Sequence, residues 1–119
     1  MSTVSDFFKD ALSLIGILAE NETPSAEQGA TMLRVFNNMM HDLADKGIDL
    51  GFNPQTSTTD DLDIAEGSRE TVTYLLAVKS APYFEVEVPQ LVSVIAQDGY
   101  TRLLRKAVYK DMKDRKSVV

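Results

Sequence analysis

Apolar residues recur along this chain at steps of three and four, the spacing typical of one face of an α-helix. The clearest stretch lies within residues 22–51. Its apolar positions are Ala26, Ala30, Leu33, Phe36 (or Asn37), Met40, Leu43 and Ala44. This pattern predicts a helix of roughly six turns.

The ends of this helix are marked by residues with suitable chemistry. Ser25 can accept a hydrogen bond from the first turn, and Gln28 can complete a capping box with it. Thr23 is a second candidate cap, and Pro24 fits the first helical position. Gly47 can adopt the left-handed conformation that ends a helix.

A first helix is predicted over residues 4–18, with Ser5 or Asp6 as its cap. Its apolar stripe is broad, which indicates that most of this helix is covered. The stripe contains Phe7, Phe8, Ala11, Leu12, Leu14, Ile15, Ile17 and Leu18. Gly16 falls inside it, and a glycine there costs about 1 kcal/mol relative to alanine. We therefore expect another backbone to pack closely at Gly16.

A third helix is predicted to start at Ser68, as cap, and to end before Pro82. Its stripe is Val72, Leu75, Leu76 and Val78 or Lys79. A long fourth helix should begin somewhere in residues 85–89 and reach about Lys110. Its stripe is Val92, Ile95, Ala96, Gly99, Leu103, Ala107 and Val108. The small residues Ala96 and Gly99 indicate a close helix contact or a bend.

Residues 47–52 alternate apolar and polar positions, with Ile48, Leu50 and Phe52 as the apolar members. The segment is too short to carry a sheet. It is either a hydrophobic strap across the helix ends or an edge that pairs with another subunit.

Residues 53–67 form the longest predicted loop, which carries the acidic cluster Asp60, Asp61 and Asp63. The cluster lacks the glycine and terminal glutamate of an EF-hand, so no metal site is predicted. A solvated loop, or a contact with a partner's basic segment, fits better. The chain thus reads as an all-α fold: a small antiparallel bundle of about four helices with a short extended strap and one long acidic loop. We expect a helical domain over residues 1–110 and a flexible basic tail over 111–119.

Composition removes several classes of function. The chain has no cysteine and one histidine, which excludes disulfides and argues against a zinc site. No apolar run approaches the ~18 residues of a membrane span, and the N-terminus lacks a basic n-region. We expect a protein that is made and used without secretion, with no cofactor.

The net charge of −6 is unevenly distributed. Residues 102–116 carry seven basic and two acidic residues, a charge of +5, and the rest of the chain carries −11. We call the seven basic residues the basic segment: Arg102, Arg105, Lys106, Lys110, Lys113, Arg115 and Lys116. It is either a solvated helix end that suits the helix dipole or an arm that docks on an acidic partner, including a second copy of the chain. Nucleic acid is a weaker candidate partner, because the acidic body would repel phosphate.

No catalytic constellation stands out in the sequence. The acids Glu20, Glu22 and Glu27 cluster around the first turn of the second helix, where acids usually suit the dipole. Nothing in the sequence indicates that one of them is buried with a raised pKa. A glycan hydrolase that uses one of them as its acid is the enzymatic alternative, and a small helical regulator of the host cell is a third possibility.

Several motifs in order carry a resemblance to a known family. They are Ala11-Leu12-x-x-Ile15-Gly16-x-Leu18-Ala19, Glu22-x-Pro24-Ser25-Ala26-Glu27, Leu33-x-x-Phe36-Asn37-x-Met39, Gly47-Ile48-x-Leu50-Gly51-Phe52, Tyr74-Leu75-Leu76-Ala77, Ala81-Pro82 and Gly99-Tyr100-x-x-Leu103. In this order and spacing the chain resembles the tail accessory factors of short-tailed bacteriophages, which are head-to-tail adaptor, or head-completion, proteins.

The resemblance implies a virion structural protein. Some relatives have been assigned a cell-wall hydrolase activity, but no residue here matches a defined catalytic motif, so we expect no enzymatic activity. Such a protein would form a ring, of twelve copies in the family, beneath the portal protein. The ring closes the DNA-filled head and gives a downstream tail or nozzle protein its platform. We expect the basic segment to dock on the portal, and Ile48, Leu50, Phe52, Asp60, Asp61 and Asp63 to contact neighbouring subunits. No membrane and no sequence-specific nucleic-acid binding are expected. The alternative is a small peptidoglycan-degrading hydrolase that acts in phage entry.

Overall fold

The computed structural model describes residues 2–19, 21–48, 50, 55–57, 61, 62, 64 and 66–117. Within those residues the α-helices are α1 (Val4–Leu14), α2 (Ala26–Asp45), α3 (Glu66–Ser80) and α4 (Gln90–Ser117). A short 3₁₀ helix, Ala81–Phe84, follows α3. The two-residue strands β1 (Ser2–Thr3) and β2 (Asp61–Leu62) pair antiparallel, with Ser2 opposite Leu62. The predicted all-α antiparallel bundle of four helices is confirmed.

The start of α1 differs from the prediction. Thr3 is the N-cap: the Asp6 N–H donates to Thr3 Oγ1 at 3.3 Å, and the Thr3 N–H donates to the Asp6 carboxylate at 3.0 Å. The prediction of Ser5 or Asp6 as the cap was therefore wrong. Asp6 instead supplies the second half of a capping box, three residues after the cap.

The start of α2 is as predicted. The Gln28 N–H donates to Ser25 Oγ at 3.1 Å, and the Ser25 N–H donates to Gln28 Oε1 at 2.9 Å. Its end is also confirmed, because Gly47 has a φ of 83°. The Ile48 N–H donates to the Leu43 carbonyl at 3.0 Å, which is the long bond of a Schellman motif.

The end of α1 repeats this motif four residues earlier than predicted. Gly16 has a φ of 78°, and the Ile17 N–H donates to the Leu12 carbonyl at 2.9 Å. A Cβ at Gly16 would meet nothing within 4 Å, so the expected close backbone contact is wrong. The glycine is needed for its conformation, since a left-handed residue with a Cβ is strained.

The core lies around α3, which packs against α1, α2 and α4. Val72, Leu76 and Ala77 are fully buried on it. Between α1 and α2, Phe8 and Phe36 meet edge to face with their ring centroids 5.8 Å apart. The apolar stripe predicted for α1 is confirmed, because Phe8, Leu12, Ile15 and Leu18 are all buried. α3 is thus the element on which the other helices depend.

The buried face of α2 is rotated from the predicted one. Ala26, Ala30 and Ala44 are exposed and Leu33 is half-buried, whereas Phe36, Met40 and Leu43 are buried as predicted. The face is completed by Gly29, Met32, Val35 and Met39. The rotation buries the larger side chains in place of alanines, which removes more apolar area from water. Met32, Met39 and Met40 are all buried, so the methionines of α2 are core residues.

The start of α3 was also predicted wrongly. The helix begins at Glu66, so Ser68 lies within its first turn, buried, and is not the cap. Before α4, Glu85 adopts a left-handed backbone conformation with a φ of 57°. α4 then begins at Gln90, directly after Pro89 and one residue beyond the range of starts predicted from the sequence.

α4 is much longer than the helix it packs on. Its 28 residues span about 42 Å and the 15 residues of α3 about 22 Å. Val108 was predicted to face the core, yet it is exposed, because α3 does not extend far enough to cover it. The described backbone remains helical to Ser117, across the boundary expected after Lys110.

Candidate functional site

The basic segment lies on the distal half of α4, which we call the arm: residues 102–117. Arg102, Arg105, Lys106, Lys110 and Lys113 are all exposed. At 1.5 Å per residue, the column from Arg102 to Lys113 is about 16 Å long. Arg115 and Lys116 belong to the last helical turns, and their side chains lie outside the part of the chain described.

The same column is narrow around the helix axis. With 100° between successive residues, the five described cations fall within an arc of about 140°. A rigid helix therefore presents them on one side, whereas a flexible tail would scatter them. Their mutual repulsion is relieved when an anionic surface approaches that side.

Apolar side chains lie beside these cations. Val108, Tyr109 and Met112 have exposed fractions of 58%, 69% and 54%. Sequence analysis assigned Val108 to the core. The signal that could have found all three is the length of α4 relative to α3, which leaves the last turns with no helix beside them. The arm thus offers both charge and apolar area to a partner.

The proximal half of α4 carries exposed apolar residues as well. Leu91 and Val94 have exposed fractions of 70% and 49%. Their surroundings are acidic, since Glu85 and Glu87 precede the helix and Asp98 lies one turn beyond Val94; all three are exposed. The two ends of the same helix therefore differ in sign of charge and agree in exposing apolar side chains.

Of the six predicted subunit-contact residues, the structure describes Ile48, Leu50 and Asp61. Ile48 is buried in the core and Leu50 packs on it half-buried, which matches the strap interpretation of this segment. The backbone of Asp61 pairs with Thr3 in the two-stranded ladder. Phe52, Asp60 and Asp63 lie outside the described residues.

The base of the arm is linked to the end of α2. The Lys46 ammonium lies 3.1 Å from the Asp42 carboxylate and 5.4 Å from the centre of the Tyr100 ring. Hydrogen bonds to Tyr100 and Asp42 raise the pKa of Lys46 above its usual 10.5. Since Lys46 stays charged, it adds a further cation where the arm leaves the bundle.

A shallow groove of about 400 Å³ separates α1 and α3 and is lined by Asp10, Arg69 and Glu70. The Arg69 guanidinium lies 5.2 Å from the centre of the Phe7 ring. Loss of solvent, then the nearby Asp6 carboxylate, raises the pKa of Asp10. This is the described carboxyl with a resolved shift, and sequence analysis did not single it out.

The carboxylates named for a hydrolase do not share such a setting. Glu22 Oε1 accepts a hydrogen bond from the Ala19 N–H at 3.2 Å in an exposed turn. Glu27 is exposed in the first turn of α2, and Glu20 lies outside the described residues. In the part of the chain that is described, no three acidic or histidine side chains are grouped as a metal site would require. None of the described helices is both long enough and apolar enough to cross a membrane.

Comparison with known protein families, with curated proteins and with solved structures finds no match for this chain. The assignment of function therefore depends on the residues and on the geometry of α4.

Proposed function

We propose that this protein is a structural component of a short-tailed bacteriophage particle, a head-to-tail adaptor. Copies of it, twelve by the resemblance of its motifs, would form a ring beneath the portal protein. The ring closes the DNA-filled head and presents a platform for a downstream tail or nozzle protein. The protein acts at the head-to-tail junction of the virion after synthesis in the host cytoplasm.

The observation that carries this proposal is the arm. Its exposed cations and its apolar side chains Val108, Tyr109 and Met112 stand on a helix that leaves an acidic body. A helix with this surface suits a large acidic partner better than a small ligand, because its charges are spread along about 16 Å. In the proposed assembly that partner is the portal.

Contacts between neighbouring copies follow from the same charge asymmetry. A heterologous interface joins two different surfaces and closes into a ring when the rotation allows. The acidic loop around Asp60, Asp61 and Asp63, together with Leu50 and Phe52, would meet a differently charged surface of the next copy. Ile48 is left out of this set because it is already buried within its own subunit.

The arm's role is tested by reversing charge at Arg105 and Lys106 and measuring capture of the protein by purified portal rings at physiological salt. We expect the double variant, Arg105→Glu with Lys106→Glu, to bind at least about tenfold more weakly, because each reversal replaces attraction by repulsion. Lys79→Glu is the control, since Lys79 is exposed in the last turn of α3, away from the arm. Equal capture of the variant and the parent protein would reject portal docking through the arm.

The hydrolase alternative is separated by its own assay. Zymography on peptidoglycan with Glu22→Gln and Glu27→Gln variants tests the acids that the sequence named. A clearing zone that is lost in one variant would favour the enzyme over the adaptor. Both residues are exposed, whereas a catalytic acid is usually held in a site shielded from water, so we expect no clearing.

A further inference from the structure

The outward face of α4 carries a single stripe of seven residues, which we call the outer stripe. It consists of Leu91, Val94, Asp98, Arg102, Arg105, Tyr109 and Met112, and each is exposed. With 100° between successive residues, the seven lie within an arc of about 80°. The buried residues Ala96 and Leu103 lie on the opposite side of the helix. The outer stripe is therefore a continuous face that the bundle itself does not use.

Three pairs of residues in the outer stripe lie symmetrically about the midpoint between Thr101 and Arg102, and Arg102 itself has no counterpart in the stripe. Leu91 and Met112 are equidistant from this midpoint, and so are Val94 and Tyr109. In both pairs the two symmetrically placed residues have apolar surface.

Asp98 and Arg105 form the third equidistant pair, which consists of an acidic and a basic residue. Within the described part of the chain neither residue takes part in an ion pair. A face with palindromic spacing and complementary chemistry is what a two-fold interface requires, because residue i then meets residue j and j meets i.

We propose that the free protein pairs with a second copy of itself through the outer stripe. The two α4 helices run antiparallel, and the two-fold axis passes beside Thr101 and Arg102. Leu91 then meets Met112 of the second copy, Val94 meets Tyr109, and Asp98 meets Arg105, and each contact occurs twice. The side chains of Leu91 and Met112 are buried against each other, and the paired charges of Asp98 and Arg105 fix the register of the two helices.

Two features favour a second copy in this orientation. In a parallel pair in register, Asp98 would lie opposite Asp98 and Arg105 opposite Arg105 of the second copy, which places like charges against each other. In the antiparallel pair the exposed Glu85 and Glu87 of one copy come near the cationic end of the other arm. Arg102, next to the axis, lies one turn from Asp98 on its own helix, a spacing at which opposite charges attract.

This pairing goes beyond the proposed function and concerns the protein alone. It covers Arg102 and Arg105, which the proposed function assigns to the portal, so the two contacts are used in turn. A pair formed before assembly would keep the arm's apolar side chains out of water until the portal replaces the second copy.

Sedimentation equilibrium without portal tests the pair. We expect a species of twice the 13.2 kDa chain mass at micromolar concentration. Asp98→Arg and Arg105→Asp should each weaken pairing about tenfold or more, because each creates like charges across the axis. Mixing the two single variants, or combining both changes in one chain, restores opposite charges and should restore the pair.

Two control variants change charge equally off the stripe. Lys79→Asp alters an exposed side chain in the last turn of α3, and Asp45→Arg alters an exposed position on α2. Both should leave the dissociation constant unchanged. A parent protein that remains monomeric up to about 100 μM would overturn the pairing. Single variants that pair as tightly as the parent would overturn it too.

Cross-linking tests the two-fold axis. The chain has no native cysteine, so Arg102→Cys introduces a single thiol beside the axis, and we expect it to form a disulfide-linked dimer under mild oxidation. Ser93→Cys, exposed on α4 but off the stripe, should stay monomeric under the same conditions. Equal cross-linking of both variants would overturn the antiparallel register. If the parent is a monomer yet Arg105→Asp abolishes portal capture, self-pairing fails and the adaptor proposal stands.

Discussion

Thr71 of α3 fills the space where a side chain at Gly99 of α4 would lie. A Cβ built at Gly99 would be 2.6 Å from Thr71 Cγ2 and 2.9 Å from Thr71 Cβ, and closer still to Thr71 Oγ1. The Cβ atom of Thr71 is bonded directly to the α3 backbone, so rotation of the threonine side chain cannot relieve this contact. The approach of α3 and α4 is therefore set by the absence of a side chain at this one position.

Gly99→Ala should destabilise the protein by about 1–3 kcal/mol, because the helices must separate or distort to admit a methyl group. This outweighs the gain of about 1 kcal/mol that alanine brings to a helix interior. Urea unfolding measures the difference.

Two variants control for helix propensity and for the partner side chain. Gly67→Ala, in the first turn of α3 with open space around it, should be neutral or stabilising. In a Thr71→Ala background the cost of Gly99→Ala should shrink, which a double-mutant cycle detects. An equal cost in both backgrounds would show that Thr71 is not the obstacle.

Gly47→Ala should cost about 1–2 kcal/mol for a different reason. There is open space around Gly47, but its φ of 83° places an alanine in the left-handed region. Gly47→Asn should recover part of the loss, since asparagine tolerates that conformation. Thermal unfolding compares the two variants, and an alanine variant as stable as the parent would contradict the prediction.

Asn37 clips the backbone at Gln55 to α2 with two hydrogen bonds. Its Nδ2 donates to the Gln55 carbonyl at 2.9 Å, and the Gln55 N–H donates to its Oδ1 at 3.0 Å. Asn37→Ala should cost about 1–3 kcal/mol and speed hydrogen exchange of the Gln55 amide, because both backbone groups lose their partner. Asn38→Ala, exposed on the same helix, should leave that exchange rate unchanged.

Asp10→Asn should raise the melting temperature at neutral pH. Desolvation and Asp6 raise the folded-state pKa of Asp10 above its ordinary 3.8, so ionisation of this carboxyl opposes folding. The parent protein therefore loses stability as pH rises from 3.8 through the raised pKa, and Asn removes that loss. Below pH 3.8 both chains carry a neutral side chain, and the difference should vanish. Asp45→Asn is the control, and a difference that persisted in acid would point to another cause.

Local chemistry was predictable where a short motif separates the candidates. Ser25 was favoured over Thr23 because Gln28 lies three residues after it, and Gly47 is the single glycine at the helix end. At the start of α1, Thr3, Ser5 and Asp6 compete, and the sequence does not show which backbone N–H groups are free. Gly16 was assigned to a helix interior because the apolar pattern continues past it to Leu18.

Features that depend on a neighbouring helix were less predictable. The buried face of α2 is rotated because its contacts with α1 and α3 together decide which side is covered. The outward position of Val108 depends on where α3 begins, and no residue near Val108 carries that information. The outer stripe, in contrast, could have been found by reading α4 in both directions.

α4 packs against the bundle along only half of its length. It contacts α3 up to Leu103, and its closest approach to α3 is between Gly99 and Thr71. A force applied at Met112 would therefore tend to rotate α4 against α3. The contact between Gly99 and Thr71 is where that force would be transmitted to the rest of the bundle.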